Sequence, residues 1–310
     1  MNLTIPDRGE QEDIELYVSV RDCHLPGLFG SIKAGLAAMG IDAVELTYNK
    51  DKTVQSLDGP GTESLATDAA IEAFAYKCRG LNIKPTAFLL ANNFGADGVE
   101  AELDYVISAV RAAARLGMHA VRIDAIMHDN RDWDLAKRTE FFAECMGKVL
   151  EATRGLDVHM GIENHGTLGN QPEFLDSVLN KVNSPRVGVT VDTANFYWFG
   201  HPLSKVHQII KHFAPRIKHT HMKNINFPPD KREIQREVGW EYGTYASSLR
   251  EGDIDMRWVV KTLADAGYTG DLCIENESLG RYDPDKQKAI LRDDADYLKE
   301  ILKERGHGLS

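Results

Sequence analysis

Four ionisable residues stand where apolar, strand-like segments of this sequence end. Glu163 ends the segment HMGIE, Asp192 ends VGVTVD and His221 ends IKHTH, with 29 residues in each step between them. Glu275 follows DLCI further along the chain. A carboxylate at the end of a buried strand is costly unless a partner offsets its charge. Three carboxylates and one imidazole suit one divalent metal ion, with Mn²⁺ favoured and Mg²⁺, Co²⁺ or Zn²⁺ as alternatives.

Taken singly, a glutamate at a strand end is more often a surface salt-bridge partner than a ligand, and His219 or His221 could be merely a core histidine. The joint pattern of the four residues favours a shared site instead, because a step of 29 residues is the length of one strand–helix unit. In a closed barrel of such units, the carboxyl ends of all strands meet at one mouth. The sequence therefore predicts that the four residues meet there and hold a metal ion.

The whole chain has the alternation that such a barrel requires. Short apolar runs are each followed by a segment with helical spacing, as at Leu103, Val106 and Val110. Predicted strands lie near 16–20, 42–46, 83–90, 120–125, 159–164, 187–192, 217–222 and 271–276. The alternative is a doubly wound open sheet, but no GxGxxG follows the first strand. We therefore predict an α/β fold, a single (β/α)8 TIM barrel over residues 1–310 with an N-terminal extension at 1–14.

One connection is much longer than the others. It runs from Asn224 to Asp253, after the seventh strand, and shows little helical or strand periodicity. Because long irregular loops in compact domains are usually functional, we predict that residues 224–253 form an active-site lid. Trp240, Tyr242 and Tyr245 would give this lid apolar rings with polar tips. A contact between copies in a homo-oligomer is the alternative use, and the two uses are compatible.

The charge and composition narrow the class of partner. The net charge of −11 at pH 7 argues against nucleic acid or an anionic membrane as partner. No stretch approaches the ~20 apolar residues of a membrane span, and the start has no secretory signal pattern. The four cysteines form no CxxC motif, which favours buried thiols in a reducing, cytoplasmic location.

Five sequence motifs together resemble the xylose isomerase-like TIM-barrel superfamily. They are ENHG, VDTAN, HTHMKN, LREGDID and CIENE, and the resemblance covers nearly the whole chain. That group includes sugar isomerases, tagatose-type 3-epimerases, inosose dehydratases and apurinic endonucleases. The resemblance implies a small-molecule carbohydrate substrate and the metal ligands Glu163, Asp192, His221 and Glu275. It also implies that Glu163 and Glu275 act as the catalytic acid and base.

The sequence differs from parts of that superfamily at two informative positions. Asn195 stands three residues after Asp192, where tagatose-type epimerases and the endonucleases carry histidine. Phe227 stands where an arginine is expected after the strand-seven histidine, and no Asp-x-His occurs in residues 224–253. These differences disfavour DNA repair and leave the type of sugar reaction open.

A keto sugar bound to the metal ion explains the predicted residue set. The cation would polarise the carbonyl, and the two glutamates would move the neighbouring proton through a metal-bound enediolate. Return of that proton gives isomerisation or epimerisation, the favoured function. The alternative is a lyase or dehydratase that eliminates a β-substituent from a 3-keto sugar, a 3-keto glycoside or an inosose. A barrel that binds a sugar without converting it is the third interpretation.

Further residues near the strand ends have predicted roles beside the metal. The expected substrate contacts are His165, Asn195, Lys223 and Trp240. Glu45 is expected to pair with a basic residue of the lid, and His219 to lie behind His221. Arg122 and Asp124 are expected to pair inside the barrel. The loop after strand eight offers no obvious phosphate cradle, which favours an unphosphorylated sugar.

Overall fold

Eight parallel strands form the centre of the molecule, whose computed structural model describes residues 16–129 and 131–307. The strands are β1 (Tyr17–Arg21), β2 (Ala43–Thr47), β3 (Lys84–Leu89), β4 (Ala120–Ile123), β5 (His159–Glu163), β6 (Val187–Asp192), β7 (Ile217–His221) and β8 (Asp271–Ile274). From β1 to β7 each strand pairs in parallel with the next, and β8 pairs with β1. The predicted TIM barrel is confirmed, whereas the predicted extension at 1–14 lies outside the described residues.

Eight longer helices surround the strands. They are α1 (Ile32–Met39), α2 (Asp68–Leu81), α3 (Val99–Leu116), α4 (Leu135–Ala152), α5 (Pro172–Val182), α6 (Leu203–Phe213), α7 (Met256–Asp265) and α8 (Pro284–His307). The apolar face that the periodicity predicted is buried, as at Leu103, Val106 and Val110 of α3. A side-chain cap starts α2, where the Thr67 hydroxyl accepts a hydrogen bond from the Ala70 amide at 3.2 Å.

Short elements occupy several of the connections. An antiparallel ribbon between β2 and α2 pairs Thr53–Gln55 with Thr62–Ser64. One-turn helices and 3₁₀ turns lie at Asp22–His24, Leu25–Phe29, Gly166–Gly169, Asn195–Trp198, Ala214–Arg216, Pro229–Lys231, Tyr242–Tyr245 and Leu279–Arg281. Several of these follow strands at the carboxyl-terminal mouth, where they shape the surroundings of the predicted site.

β7 and β8 close the barrel without a continuous ladder of backbone hydrogen bonds. Met222 bridges them, because its amide donates to the Cys273 carbonyl at 2.7 Å and its carbonyl accepts from the Glu275 amide at 3.1 Å. The Thr220 hydroxyl donates to the Asp271 carbonyl at 2.7 Å and accepts from the Cys273 amide at 3.2 Å. We call this junction, residues 220–222 against 271–275, the seam.

The segment predicted as a lid, residues 224–253, has a defined fold of its own. Its ends form a two-stranded antiparallel ribbon, Asn224–Ile225 with Ala246–Ser247. The Asn224 side chain also donates to the carbonyls of Leu249 and Ile254 at 2.9 Å each. The expectation of an irregular run was wrong in this respect, because two-residue strands are too short to show a period. Closure of the segment over a substrate stays a prediction.

Aromatic rings hold this segment against the barrel. Phe227 is buried, and Tyr197 meets it edge-on with ring centroids 4.8 Å apart. Trp240 stacks on Tyr245 with centroids 5.6 Å apart. The position where an arginine was expected therefore serves packing in this chain.

Two expectations from composition can be compared with the structure. In the described part of the chain, no helix is both long and apolar enough to cross a bilayer. All four cysteines are free thiols, and three of them are buried as expected. Cys23 is exposed, because it lies in the 3₁₀ turn after β1 and not in the core.

Candidate metal centre and active site

The four predicted ligands meet at the carboxyl-terminal mouth of the barrel. One ligand atom from each of Glu163, Asp192, His221 and Glu275 lies within 4.8 Å of the others, and all four residues are buried. His221 is central, with Nδ1 2.8 Å from Glu163 Oε1 and 3.2 Å from Glu275 Oε2. These residues lie together because of the strand order: Glu163, Asp192 and His221 end β5, β6 and β7, and Glu275 follows β8. We call these residues the four-residue cluster.

Backbone hydrogen bonds orient the Asp192 carboxylate. Its Oδ1 accepts from the amides of Ala194 and Asn195 at 2.8 Å each. The Asn164 side chain exchanges two hydrogen bonds with the Asp192 backbone, at 2.7 and 2.9 Å. These contacts join the ends of β5 and β6, and they leave Oδ2 of Asp192 for the cluster.

Asn276, the residue after Glu275, supports the site from a different side. Asn276 donates to the Asp294 carboxyl group of α8 at 2.6 Å and accepts from the amide of Ser278 at 2.9 Å. Asp294 also accepts from the Leu249 amide at 2.8 Å. Burial raises the pKa of Asp294 to about 7. The residue next to Glu275 is thereby tied both to α8 and to the end of the 224–253 segment.

Each acid of the cluster has one carboxylate oxygen without a hydrogen bond. Glu163 Oε2, Asp192 Oδ2 and Glu275 Oε2 are buried and accept none from the described residues. Each of these oxygens faces a nitrogen in an ion-pair contact instead: Arg122 at Glu163 Oε2, Lys223 Nζ 2.8 Å from Asp192 Oδ2, and His221 Nδ1 3.2 Å from Glu275 Oε2. Buried polar oxygens normally have a partner. Because hard oxygens beside an imidazole suit a divalent cation, these residues fit the predicted metal ion.

Glu45 orients His221 from inside the barrel. Its Oε2 lies 3.0 Å from His221 Nε2, and its Oε1 lies 2.8 Å from His219 Nε2. A carboxylate on the far nitrogen of a histidine ligand fixes the ring and its tautomer. Burial alone would lower the pKa of His221, but the carboxylates of Glu45 and Glu275 raise it to about 9. The expectation that Glu45 pairs with a lid cation was wrong, since its partners are these histidines and Arg21.

The polar contacts continue behind the cluster through the barrel interior. His219 Nδ1 lies 3.0 Å from Asp271 Oδ1, and His119 Nε2 lies 3.6 Å from the same oxygen. His219 therefore lies behind His221, as predicted, and is not in the cluster. We call the chain of contacts His221–Glu45–His219–Asp271–His119 the polar column.

Arg122 neutralises Glu163 from the side of β4. It pairs with Glu163 and lies 3.0 Å from Asp124 Oδ1, which confirms the expected ion pair inside the barrel. His165 Nδ1 lies 2.7 Å from the same Asp124 oxygen. The predicted substrate contact His165 is thus held by a buried carboxylate.

Arg21 and Glu277 were missed by the sequence analysis. Arg21 ends β1 and pairs with Glu275. Glu277 lies 3.4 Å from Lys223 Nζ and accepts a hydrogen bond from the Tyr242 hydroxyl. Arg21 also ends a strand, as the predicted ligands do. Because arginine does not bind metal ions, it does not fit the pattern that identified the ligands.

A cavity of about 220 Å³ adjoins the cluster. The predicted substrate contacts His165, Asn195 and Lys223 line it. Trp240 packs against Tyr245, so its contact with a sugar stays a prediction. Charged and amide groups around a small cavity suit a polar molecule with many hydroxyl groups.

Sequence comparison finds curated relatives that match part of the chain. It is 30% identical over 137 residues to inosose dehydratase of Klebsiella pneumoniae, a match that covers 41% of this chain and 43% of that protein. The chain spans half or less of the length of the curated relatives it matches. Residues 34–301 match the profile described as xylose isomerase-like TIM barrel.

Solved structures share the same fold. The IolI protein with a bound zinc atom has a TM-score of 0.68 at 13% identity, covering 93% of this chain and 99% of that chain. L-ribulose 3-epimerase has a TM-score of 0.66 at 15% identity, covering 95% and 97%. At these identities the likeness concerns the fold alone. Together with the match over residues 34–301, it leads to one conclusion: the chain belongs to the xylose isomerase-like TIM-barrel family.

Proposed function

We propose that this chain is a divalent-metal-dependent enzyme that isomerises or epimerises a keto sugar or a related sugar derivative. One observation carries the proposal: Glu163 and Glu275 both contact His221 Nδ1, and both line the same cavity. Two carboxylates in one small-molecule cavity can serve as acid and base for a proton transfer. The epimerase and dehydratase neighbours of the family support a carbohydrate substrate.

The proposed metal ligands are Glu163, Asp192, His221 and Glu275. A divalent cation held there, Mn²⁺ first and Mg²⁺, Co²⁺ or Zn²⁺ as alternatives, supplies Lewis acidity toward a substrate carbonyl oxygen. The convergence of three buried carboxylates and one imidazole supports this assignment. The zinc atom bound by the IolI protein supports a metal site of this kind on the same fold.

Glu275 is the group that takes the first proton in this proposal. Burial would raise the pKa of Glu275, but Lys223, His221 and Arg21 hold it well below its usual range. The carboxylate is therefore ionised and able to accept a proton. It removes the proton from the carbon next to the substrate carbonyl.

A carboxyl group delivers a proton to carbon in the second step. Glu163, protonated at the start of the cycle, donates its own proton to the opposite face of the same carbon and gives the epimer, whereas return of the abstracted proton from Glu275 to the adjacent carbon gives the isomer. His165, Asn195 and Lys223 bind substrate hydroxyl groups, since they line the same cavity as the two glutamates. Trp240 is proposed to cover the sugar from the 224–253 segment when that segment closes.

A second candidate is a lyase or dehydratase acting on an inosose, a 3-keto sugar or a 3-keto glycoside. The 30% identity to inosose dehydratase favours it. It begins with the same proton transfer and then loses a β-substituent. Lys223 Nζ, 3.6 Å from Glu275 Oε2, can donate a hydrogen bond to a departing hydroxyl group, which leaves as water with the proton that Glu275 removed.

The test is turnover in D₂O at saturating Mn²⁺ with a panel of keto sugars, inososes and 3-keto glycosides. Wild-type protein is expected to place deuterium on the carbon next to the carbonyl. Glu275→Gln is expected to lower turnover by about 10²–10⁴-fold, the usual contribution of a positioned acid or base. NMR and mass spectrometry identify the product and the label.

Glu237→Gln is the matched control, because Glu237 is exposed and lies outside the cavity. It is expected to retain wild-type turnover. An unsaturated product would establish the second candidate instead. Conversion without deuterium would replace the proton-transfer mechanism by hydride transfer, and binding without conversion would leave a sugar-binding barrel.

A further inference from the structure

We propose that the opposite, amino-terminal mouth of the barrel is a second binding site, for a small phosphorylated metabolite. A cavity of about 360 Å³ opens there. Four basic side chains line it: Lys84, His119, His159 and Lys218. Catalysis in this type of barrel takes place at the carboxyl-terminal mouth, so the site is separate from the proposed active site.

The charge of this cavity is opposite to that of the molecule. The chain carries a net charge of −11, yet the residues that line this cavity include no aspartate or glutamate. The Lys84 ammonium group stands 3.5 Å from the centre of the Tyr17 ring and not on a carboxylate. Two ammonium groups at a cavity whose lining carries no carboxylate give a local positive potential that attracts an anion.

The arrangement of the basic groups favours a tetrahedral anion. Lys84 begins β3, His119 directly precedes β4, His159 begins β5 and Lys218 lies in β7. The donors therefore come from several sides of the barrel. A phosphate group accepts charge-assisted hydrogen bonds from many directions, whereas a single carboxylate is planar. The volume exceeds what one phosphate group needs, which leaves room for an organic part.

One nitrogen beside the cavity has no hydrogen bond. His119 Nε2 is buried and makes none with the described residues, since the Asp271 Oδ1 atom that faces it lies 3.6 Å away. Burial lowers the pKa of all four groups, Lys84, His119, His159 and Lys218. A bound dianion would offset this cost for the two ammonium groups and would raise the pKa of the two imidazoles.

Calorimetric titration of the Mn²⁺-loaded protein with glycerol 1-phosphate and with inorganic phosphate tests the site. Ionic strength is held constant with chloride. Saturable binding of glycerol 1-phosphate is expected, and the double variant Lys84→Gln, Lys218→Gln is expected to weaken it by about tenfold or more. Binding of inorganic phosphate with equal affinity would show that only the phosphate group is recognised.

Two controls separate this site from the active site and from general charge effects. The double variant Lys205→Gln, Lys211→Gln removes two exposed lysines of α6 and is expected to bind like wild type. Asp192→Asn, at the other mouth, is expected to retain binding. The imidazole NMR signals of His119 and His159 are expected to shift on titration. Absence of binding, or binding lost in Asp192→Asn and unchanged in the Lys84/Lys218 variant, would overturn the proposal.

Discussion

At the scale of single residues, the two glutamates of the four-residue cluster have different neighbours. Glu163 pairs with Arg122, whereas Glu275 pairs with Arg21 and lies 3.6 Å from Lys223 Nζ. Each carboxylate thus retains a cation of its own in addition to the shared His221. This difference is a physical basis for separate roles in proton transfer, because the local charge sets how readily each carboxylate is protonated.

Glu45 is expected to control metal affinity although it is not in the cluster. Glu45→Gln keeps the size of the side chain but removes the charge that faces His221 Nε2 at 3.0 Å. Loss of such an outer partner typically weakens metal binding by about 10–100-fold. Titration with Mn²⁺ measures the effect. Glu140→Gln, an exposed change on α4, is the control, and equal affinity of both variants would contradict the role of Glu45.

Metal affinity is also expected to depend on pH through His221. The neighbouring carboxylates raise the pKa of His221 to about 9, so its ring carries a proton at neutral pH. Only the unprotonated nitrogen can bind a metal ion, and binding must release that proton. The Mn²⁺ dissociation constant should therefore rise as the pH falls from about 9, by at most about tenfold per unit. Titrations at pH 6 to 9 check this, and a constant value would argue against His221 as a ligand.

At the scale of elements, the Thr220 hydroxyl is expected to stabilise the seam. It joins β7 to β8 through contacts with Asp271 and Cys273. Thr220→Val keeps the shape but leaves a buried carbonyl and a buried amide without this partner, which costs about 1–3 kcal/mol. Urea unfolding measures the loss. Thr167→Val, at an exposed position, should change the free energy of unfolding little, and an equally small effect at Thr220 would contradict the prediction.

The helices and strands also show which features could be predicted from the sequence. The strands and the four ligands follow from periodicity and from the rule that barrel strands end at one mouth. The contact of Glu45 with His219 joins residues 174 positions apart, and no local pattern encodes it. The ribbon at Asn224–Ile225 is set by the Asn224 side chain and by tertiary packing, not by hydrophobic alternation.

At the scale of the whole molecule, the barrel interior is not uniformly apolar. The polar column runs from His221 at the carboxyl-terminal mouth to His119, which lines the cavity at the other mouth. Buried charges of this kind are tolerated when each has a partner of opposite sign. The two mouths of the barrel are therefore joined by a continuous series of ionisable groups.

The incomplete ladder at the seam gives the metal ion a mechanical consequence. His221 and Glu275 lie on its two sides, so an ion bound to both would cross-link β7 to β8, which already pairs with β1 on its other side. Such a link should slow local opening. Removing the ion with a chelator is expected to accelerate amide hydrogen exchange at Met222 and Glu275 before it affects the continuous β3–β4 ladder. Uniform acceleration across both regions would instead mean that the ion stabilises the molecule as a whole. If the ion does link the two strands, its release becomes a step in unfolding.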